Sequence, residues 1–170
     1  MKKVVLVRGP SGCGKSTYIR QLLNARGMEL VESIVCSADD FFITRTPVVN
    51  VDGSVRQETV LEYRFDPMKL GEAHAWCFGK FMDAIYTDGY SMVVVDNTFI
   101  HMWEMKNYFK AARRACCDLE VHEFRVETMA QLRLCVARNV HRVPADVVAR
   151  MAMEFEPYEG AMVLPLGGLK

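Results

Sequence analysis

Gly9-Pro10-Ser11-Gly12-Cys13-Gly14-Lys15-Ser16-Thr17 decides the reading of the chain, because it fits G-x-x-x-x-G-K-[ST] and lies between an apolar run and an amphipathic segment. On one side Val4, Val5, Leu6 and Val7 form the short β-branched run of a buried strand. On the other, Ile19, Leu22 and Leu23 recur at helical spacing. Strand, glycine loop and helix thus follow in the order a phosphate-binding loop requires. Backbone N–H groups from Ser11 to Ser16 are expected to point inward around a phosphate chain, helped by the positive end of the helix dipole. Gly9, Gly12 and Gly14 keep side chains clear of it, and Ser11, Cys13 and Thr17 complete the nucleotide-binding stretch. Lys15 is expected to bridge the terminal phosphates, and the Ser16 hydroxyl to ligate the accompanying Mg²⁺. A glycine turn that merely starts a helix accounts for none of the Gly-Lys-Ser-Thr ending.

The 170 residues suit one domain, 1–170, with a sizeable core. Net charge is zero, so no overall positive field draws in nucleic acid, and a polyanion site must come from locally gathered arginines. Met1-Lys2-Lys3 precedes only four apolar residues before Arg8, far short of a signal-peptide core, and no apolar run is long enough for a bilayer. A soluble intracellular protein, cytoplasmic or nuclear and without a membrane partner, is expected. Six cysteines lack the paired spacing of a zinc site and are read as reduced thiols. Cys13 stands apart: a thiol near a helix N-terminus favours its thiolate, so alkylation there is expected to block nucleotide binding, unless the residue is simply small enough to fit.

Past a stop at Gly27, Ser33-Ile34-Val35-Cys36-Ser37 reads as a second buried strand that delivers Asp39-Asp40 at its end. Carboxyl ends of strands line the ligand crevice of open α/β sheets. Either aspartate can then serve as a base facing the phosphates, Asp39 foremost, or one or both simply cap the turn into Phe41-Phe42. From 43 to 65 the periodicity disappears, although Asp52-Gly53 resembles a hairpin turn. A length of this order suggests a flexible flap over the acceptor site carrying Arg45, Arg56 and Arg64, or else a disordered insertion. Asp66-Pro67 opens a helix with Leu70, Ala73, Cys77, Phe81 and Ala84 inward; His74 and Trp76 are read as packed residues. Met92-Val93-Val94-Val95-Asp96 is a third buried strand ending in an acid, so Asp96 is expected near the Mg²⁺, to bind it through water, to orient Ser16 or Lys15, or only to hold the following Asn97-Thr98 turn.

A helix follows from His101 to about Cys117, and Leu119 to Val126 alternates as a fourth strand near an edge with one partly solvated face. Thr128 caps a further helix with Met129, Leu132, Val136 and Val140 inward. Arg138 and Arg142, four residues apart, share its outer face and are read as a closing lid, about 137–144, that neutralises the transferred phosphoryl group, unless they form an ordinary solvated basic face. Pro144 restarts a helix to about Phe155, and residues 161–166 suggest a short edge strand before a fraying Gly167-Gly168. Strands alternating with helices behind a phosphate-binding loop specify a three-layer α/β P-loop NTPase fold with a largely parallel central sheet.

Several motifs then agree: residues 9–17, Ser37-Ala38-Asp39-Asp40-Phe41-Phe42, Phe65-Asp66-Pro67 with Ala73-His74-Ala75-Trp76, Val95-Asp96-Asn97-Thr98, Trp103-Glu104-Met105, and Ala137-Arg138-Asn139-Val140-His141-Arg142-Val143-Pro144. Together, from Lys2 to about Pro157, they resemble the P-loop kinase domain of the NEDD4-binding-protein-2-like family, which is related to polynucleotide 5′-hydroxyl kinases. The resemblance implies ATP-dependent transfer to the 5′-hydroxyl of an RNA or DNA end. It implies phosphate and Mg²⁺ contacts at Lys15 and Ser16, a general base at Asp39, an acid at Asp96, and lid arginines at Arg138 and Arg142. Three positions depart from the pattern: Phe42 stands where a phage-type kinase carries an acceptor-phosphate arginine, Arg142 where glycine is usual, and Phe99 where asparagine is usual. The alternatives are a small-metabolite or nucleotide kinase, or a non-catalytic ATP-binding interaction module.

Overall fold

Val4 to Val7 alternate between two faces of a strand, and every one of them is buried, so both faces must be covered. The computed structural model describes residues 1–25, 27, 32–49 and 55–166, with segments 46–49 and 55–59 described by backbone alone. In chain order the elements are β1 (Lys3–Arg8), α1 (Lys15–Ala25), β2 (Ser33–Ser37), β3 (Ile43–Val49), β4 (Val55–Tyr63), α2 (Leu70–Tyr86), β5 (Met92–Asp96), α3 (Met102–Arg114), β6 (Asp118–Phe124), α4 (Met129–Arg138), α5 (Ala145–Met153) and β7 (Met162–Leu164). Five strands form one sheet in the order β2-β5-β1-β6-β7, and each pairing is parallel. In register, Val5 of β1 lies between Val94 of β5 and Glu120 of β6.

Alternation sorts the core into two halves. Val4, Leu6, Val93, Val95 and Val121 pack beneath α2 and α3 through Ala73, Cys77, Phe81, Met105, Tyr108 and Ala112. Val5, Val7 and Val94 face the other way, against Ile19 and Leu23 of α1, Cys135 of α4 and Val148 of α5. Three layers result, as the alternation of strands and helices predicts. Among the described residues no helix is long and apolar enough to cross a membrane.

Four expectations require correction. The segment 43–65 is not an irregular flap: β3 and β4 pair antiparallel from Ile43↔Tyr63 inward, with a register shift between Pro47 and Val49. Cross-strand pairing, invisible to a search for helical or apolar periodicity, supplies the order there. The expected turn at Asp52-Gly53 lies outside the described residues, as do the Arg56 side chain and Gly167-Gly168. Second, β6 lies next to the edge strand β7, in keeping with a place near an edge, but the expected solvated face is missing over its second half, where Val121 to Phe124 are all buried. Its polar positions mark buried pairing rather than solvent: Glu123 accepts from Arg8 at 3.2 Å and from Arg125, and the His122 ring meets Tyr18 at 2.7 Å and Glu120 at 3.1 Å. Third, Trp76 is 41% exposed, and Met129 and Val140 are exposed rather than inward; Cys135 holds the core of α4 instead. Fourth, α4 stops at Arg138 and Arg142 takes a left-handed φ of 54°, so the two arginines sit on a helix end and a following turn, not on one helical face.

Candidate active site

The carboxyl ends of β1, β2 and β5 open into a cleft of about 760 Å³, walled by the glycine loop, a 3₁₀ turn at Ala38–Phe42, the end of β4 and the turn after α4. The loop owes its shape to glycine at two points. Gly12 has φ 76°, and a Cβ there would lie 1.9 Å from the Cys135 carbonyl oxygen, so α4 rests directly on the loop backbone. Gly14, at φ 106°, has open space beside it; conformation alone requires glycine there. Lys15 curls over the loop, its Nζ donating to the Gly9 carbonyl at 2.9 Å and the Pro10 carbonyl at 3.1 Å.

Ser16 Oγ donates to Asp96 Oδ2 at 2.9 Å, joining the start of α1 to the end of β5. Packing pushes the Asp96 carboxyl above its ordinary range, opposed by the Lys15 charge and the Ser16 hydroxyl. Hydroxyl and carboxylate oxygens side by side at the mouth of a phosphate loop fit a small hard cation, which keeps waters and takes phosphate oxygens for its remaining ligands. No cluster of three or more histidine, cysteine or acidic side chains suited to a metal is present among the described residues.

Opposite the loop, the 3₁₀ turn aims the two aspartates apart. Ser37 Oγ accepts from the Asp39 N–H at 3.3 Å, and Asn97 Oδ1 accepts from the Ala38 N–H at 3.0 Å, so β5 fixes the turn from the side. Asp40 turns away to an ion pair with Lys80 at 3.1 Å. Asp39 lines the cleft with its side chain 53% exposed. Tyr63 donates its hydroxyl to Asp39 Oδ1 at 3.2 Å, and His141 Nε2 stands 3.6 Å from Oδ2. Burial, and then the Asp39 charge, push the Tyr63 phenol above its ordinary value, so it remains a donor.

Arg138 and Arg142 are exposed and line the same cleft, together with Arg20 of α1. Residues 9–17 shape its floor, and His74 reaches its rim. His101 instead caps α3, its N–H donating to Glu104 Oε2 at 2.7 Å. Arg45 is exposed outside the cleft lining, and Arg64 pairs with Glu62 at 2.8 Å. Cys13 contradicts its expected reactivity: it is 2% exposed, and burial pushes its thiol up despite Lys15 nearby, because desolvation of a thiolate outweighs the helix dipole. All six cysteines are free thiols.

Tyr63, His141 and Asn97 were not legible as site residues. Tyr63 comes from a stretch without periodicity and His141 from beside the arginines that drew attention; each reaches Asp39 only through tertiary structure. Asn97, directly after Asp96 at a strand end, was the one with a local signal.

The comparisons with known proteins follow this geometry. Human (Homo sapiens) NEDD4-binding protein 2 is 26% identical over 161 residues, which is 95% of this chain and 8% of that protein, so the chain spans a small part of that relative's length. A gluconokinase from Sinorhizobium meliloti 1021 superposes with a TM-score of 0.61 at 12% identity, over 98% of this chain and 83% of that one. The tunicamycin resistance protein of Deinococcus radiodurans gives 0.55 at 11% identity, over 96% and 86%. At such identities the two structures attest to a shared fold alone. Residues 4–158 match the family model described as AAA domain (AAA_33), and the chain belongs to that family.

Proposed function

We propose that this chain transfers the γ-phosphoryl group of ATP to a hydroxyl, and that the acceptor is the 5′-hydroxyl of an RNA or DNA end. The observation that carries the reading is the convergence of Lys15, Ser16, Asp96, Arg138, Arg142 and a half-exposed Asp39 on one cleft. Similarity to NEDD4-binding protein 2 and the gluconokinase-like fold support the phosphoryl-transfer part. Ser16 and Asp96 would hold Mg²⁺, which when bound neutralises charge on the β- and γ-phosphates.

Lys15 exchanges its bonds to the Gly9 and Pro10 carbonyls for phosphate oxygens, and the loop N–H groups cradle the chain of phosphates. Asp39 accepts the proton of the attacking hydroxyl as its oxygen bonds the γ-phosphorus. The bond from that phosphorus to the bridging oxygen breaks, and its electron pair leaves with ADP. Arg138 and Arg142 face the charge that spreads over the equatorial oxygens. Tyr63 orients the Asp39 carboxylate and must give way, or move with it, as the proton arrives.

Phe42, in place of an acceptor-phosphate arginine, and the gluconokinase neighbour favour a second reading, a small-molecule acceptor. Transfer of label from γ-labelled ATP to a 5′-hydroxyl oligonucleotide, run beside a panel of sugars, sugar acids and nucleosides, tests the two. Label on the oligonucleotide end is expected. Label only on a small molecule assigns the second reading, and no label on any acceptor despite ATP binding leaves a nucleotide-binding module.

A further inference from the structure

Beside Asp39 the cleft wall is aromatic. Phe65 meets Phe42 at 5.1 Å between ring centroids, Phe42 meets Tyr63 at 6.2 Å, and Tyr63 meets His141 at 4.6 Å with 43° between planes. The rings come from four separate places: the 3₁₀ turn, the end of β4, the segment just beyond it, and the turn after α4. Phe42 is buried and backs the others, whereas Phe65 is 51% exposed and lines the cleft. Tyr63 connects this wall to the chemistry, because its hydroxyl is on Asp39 while its ring lies one ring-length away.

Charge is distributed the opposite way. The lysine and arginine side chains lining the cleft are those of Lys15 and Arg20 on α1, Arg138 at the end of α4 and Arg142 in the turn after it. Among the lining residues of the 3₁₀ turn, the end of β4 and the segment into α2 there is no lysine or arginine, whereas His141, the ring against Tyr63, is followed by Arg142. Arg64, next in sequence to Tyr63, points its charge to Glu62 on the ribbon instead. A wall of rings without a fixed cation suits a flat heteroaromatic group. It does not suit a sugar acid or a run of phosphates.

Resting on the acceptor proposed above, we infer that Tyr63 and Phe65 stack the nucleobase attached to the reacting hydroxyl. The acceptor is therefore selected by its terminal base rather than by the phosphates that follow it. In a nucleoside the 5′-oxygen stands one sugar away from the base; Asp39 takes the oxygen, and the Tyr63 and Phe65 rings of the same cleft take the base. Stacking has little preference among bases, since each presents a π-face, so all four terminal nucleotides are accepted.

The test compares two 5′-hydroxyl oligonucleotides that differ only at the first residue, one bearing a base and one an abasic tetrahydrofuran. With the wild-type chain, removing the base is expected to raise KM about tenfold, within the range of one base–aromatic stack, and to leave kcat within about twofold. Phe65→Leu is expected to raise KM for the base-bearing strand towards that of the abasic one and to leave the abasic strand unaffected; Tyr63→Phe, which keeps the ring, preserves the discrimination. Equal KM for the two strands, or a Phe65→Leu effect of the same size on both, overturns the inference and leaves the proposed reaction standing. No transfer to either strand while ATP still binds overturns the reaction, and the inference with it.

Discussion

At the scale of single residues, Gly12 is where the glycine loop meets α4. Alanine there would drive a Cβ into the Cys135 carbonyl from a left-handed backbone, with no flexible side chain to give way. Gly12→Ala is expected to lose at least about 2–3 kcal/mol of stability and to weaken ATP binding, measured by chemical denaturation and nucleotide titration. Gly79, inside α2 with nothing within 4 Å of its would-be Cβ, is the contrast: Gly79→Ala should gain roughly 0.5–1 kcal/mol by restricting the unfolded chain. Cysteine reactivity follows burial in the same way. Cys116 is exposed and Cys13 is not, so iodoacetamide should label Cys116 in the native protein and reach Cys13 only after unfolding, with or without ATP. Peptide mapping of the modified sites checks this, and rapid native labelling of Cys13 would contradict it.

Among the elements, β6 shows how polar residues enter a core. Arg8 is fully buried at the end of β1, donating to Glu123, to the Phe99 carbonyl at 2.8 Å and to the Ile100 carbonyl at 3.0 Å, with its guanidinium 4.2 Å from the Phe155 ring. It thereby ties β1, β6 and the chain after β5 together directly before the glycine loop. Glu123→Gln leaves the arginine charge buried and uncompensated, and is expected to destabilise by about 3–5 kcal/mol in denaturant unfolding. At the outer end of the same strand, Lys3 holds the Glu120 carboxyl below its ordinary range through a hydrogen bond at 2.5 Å. A depressed carboxyl pKa stabilises the fold above its unfolded value, and that contribution disappears as pH falls through the folded one. Because Glu120 is a third exposed, Lys3→Met should destabilise by only about 0.5 kcal/mol at pH 7, with the difference from wild type shrinking as pH falls below the ordinary carboxylate range.

These elements also show what a sequence carries. Ser33–Ser37 and Met92–Asp96 coincide with the strands read from their apolar runs, because a strand buried on both faces announces itself by composition. The ribbon β3–β4 and the buried polar residues of β6 did not, because a ribbon is stabilised by its partner strand, and alternation looks alike whether the polar face meets water or a buried arginine. The end of α4 escaped for a related reason: Asn139 bonds the Val143 carbonyl at 2.7 Å and turns the chain, a contact with no trace in helical periodicity.

For the whole molecule, the parallel order β2-β5-β1-β6-β7 sets the carboxyl ends of β1, β2 and β5 side by side, so the glycine loop, Asp39 and Asp96 reach one cleft from three separate parts of the chain. The loop half of that cleft was legible because it is continuous in sequence. The acceptor half was only partly so, since Tyr63 and His141 join Asp39 across the fold. The most direct measurement is made on Asp39→Asn, an isosteric change at an exposed side chain. ATP affinity is expected to stay within about twofold of wild type, while transfer of the γ-phosphoryl group to a 5′-hydroxyl oligonucleotide falls by about 10²–10⁴-fold, the range for losing a general base. Transfer that persists at the wild-type rate in Asp39→Asn would contradict the role of Asp39 and the reaction built on it.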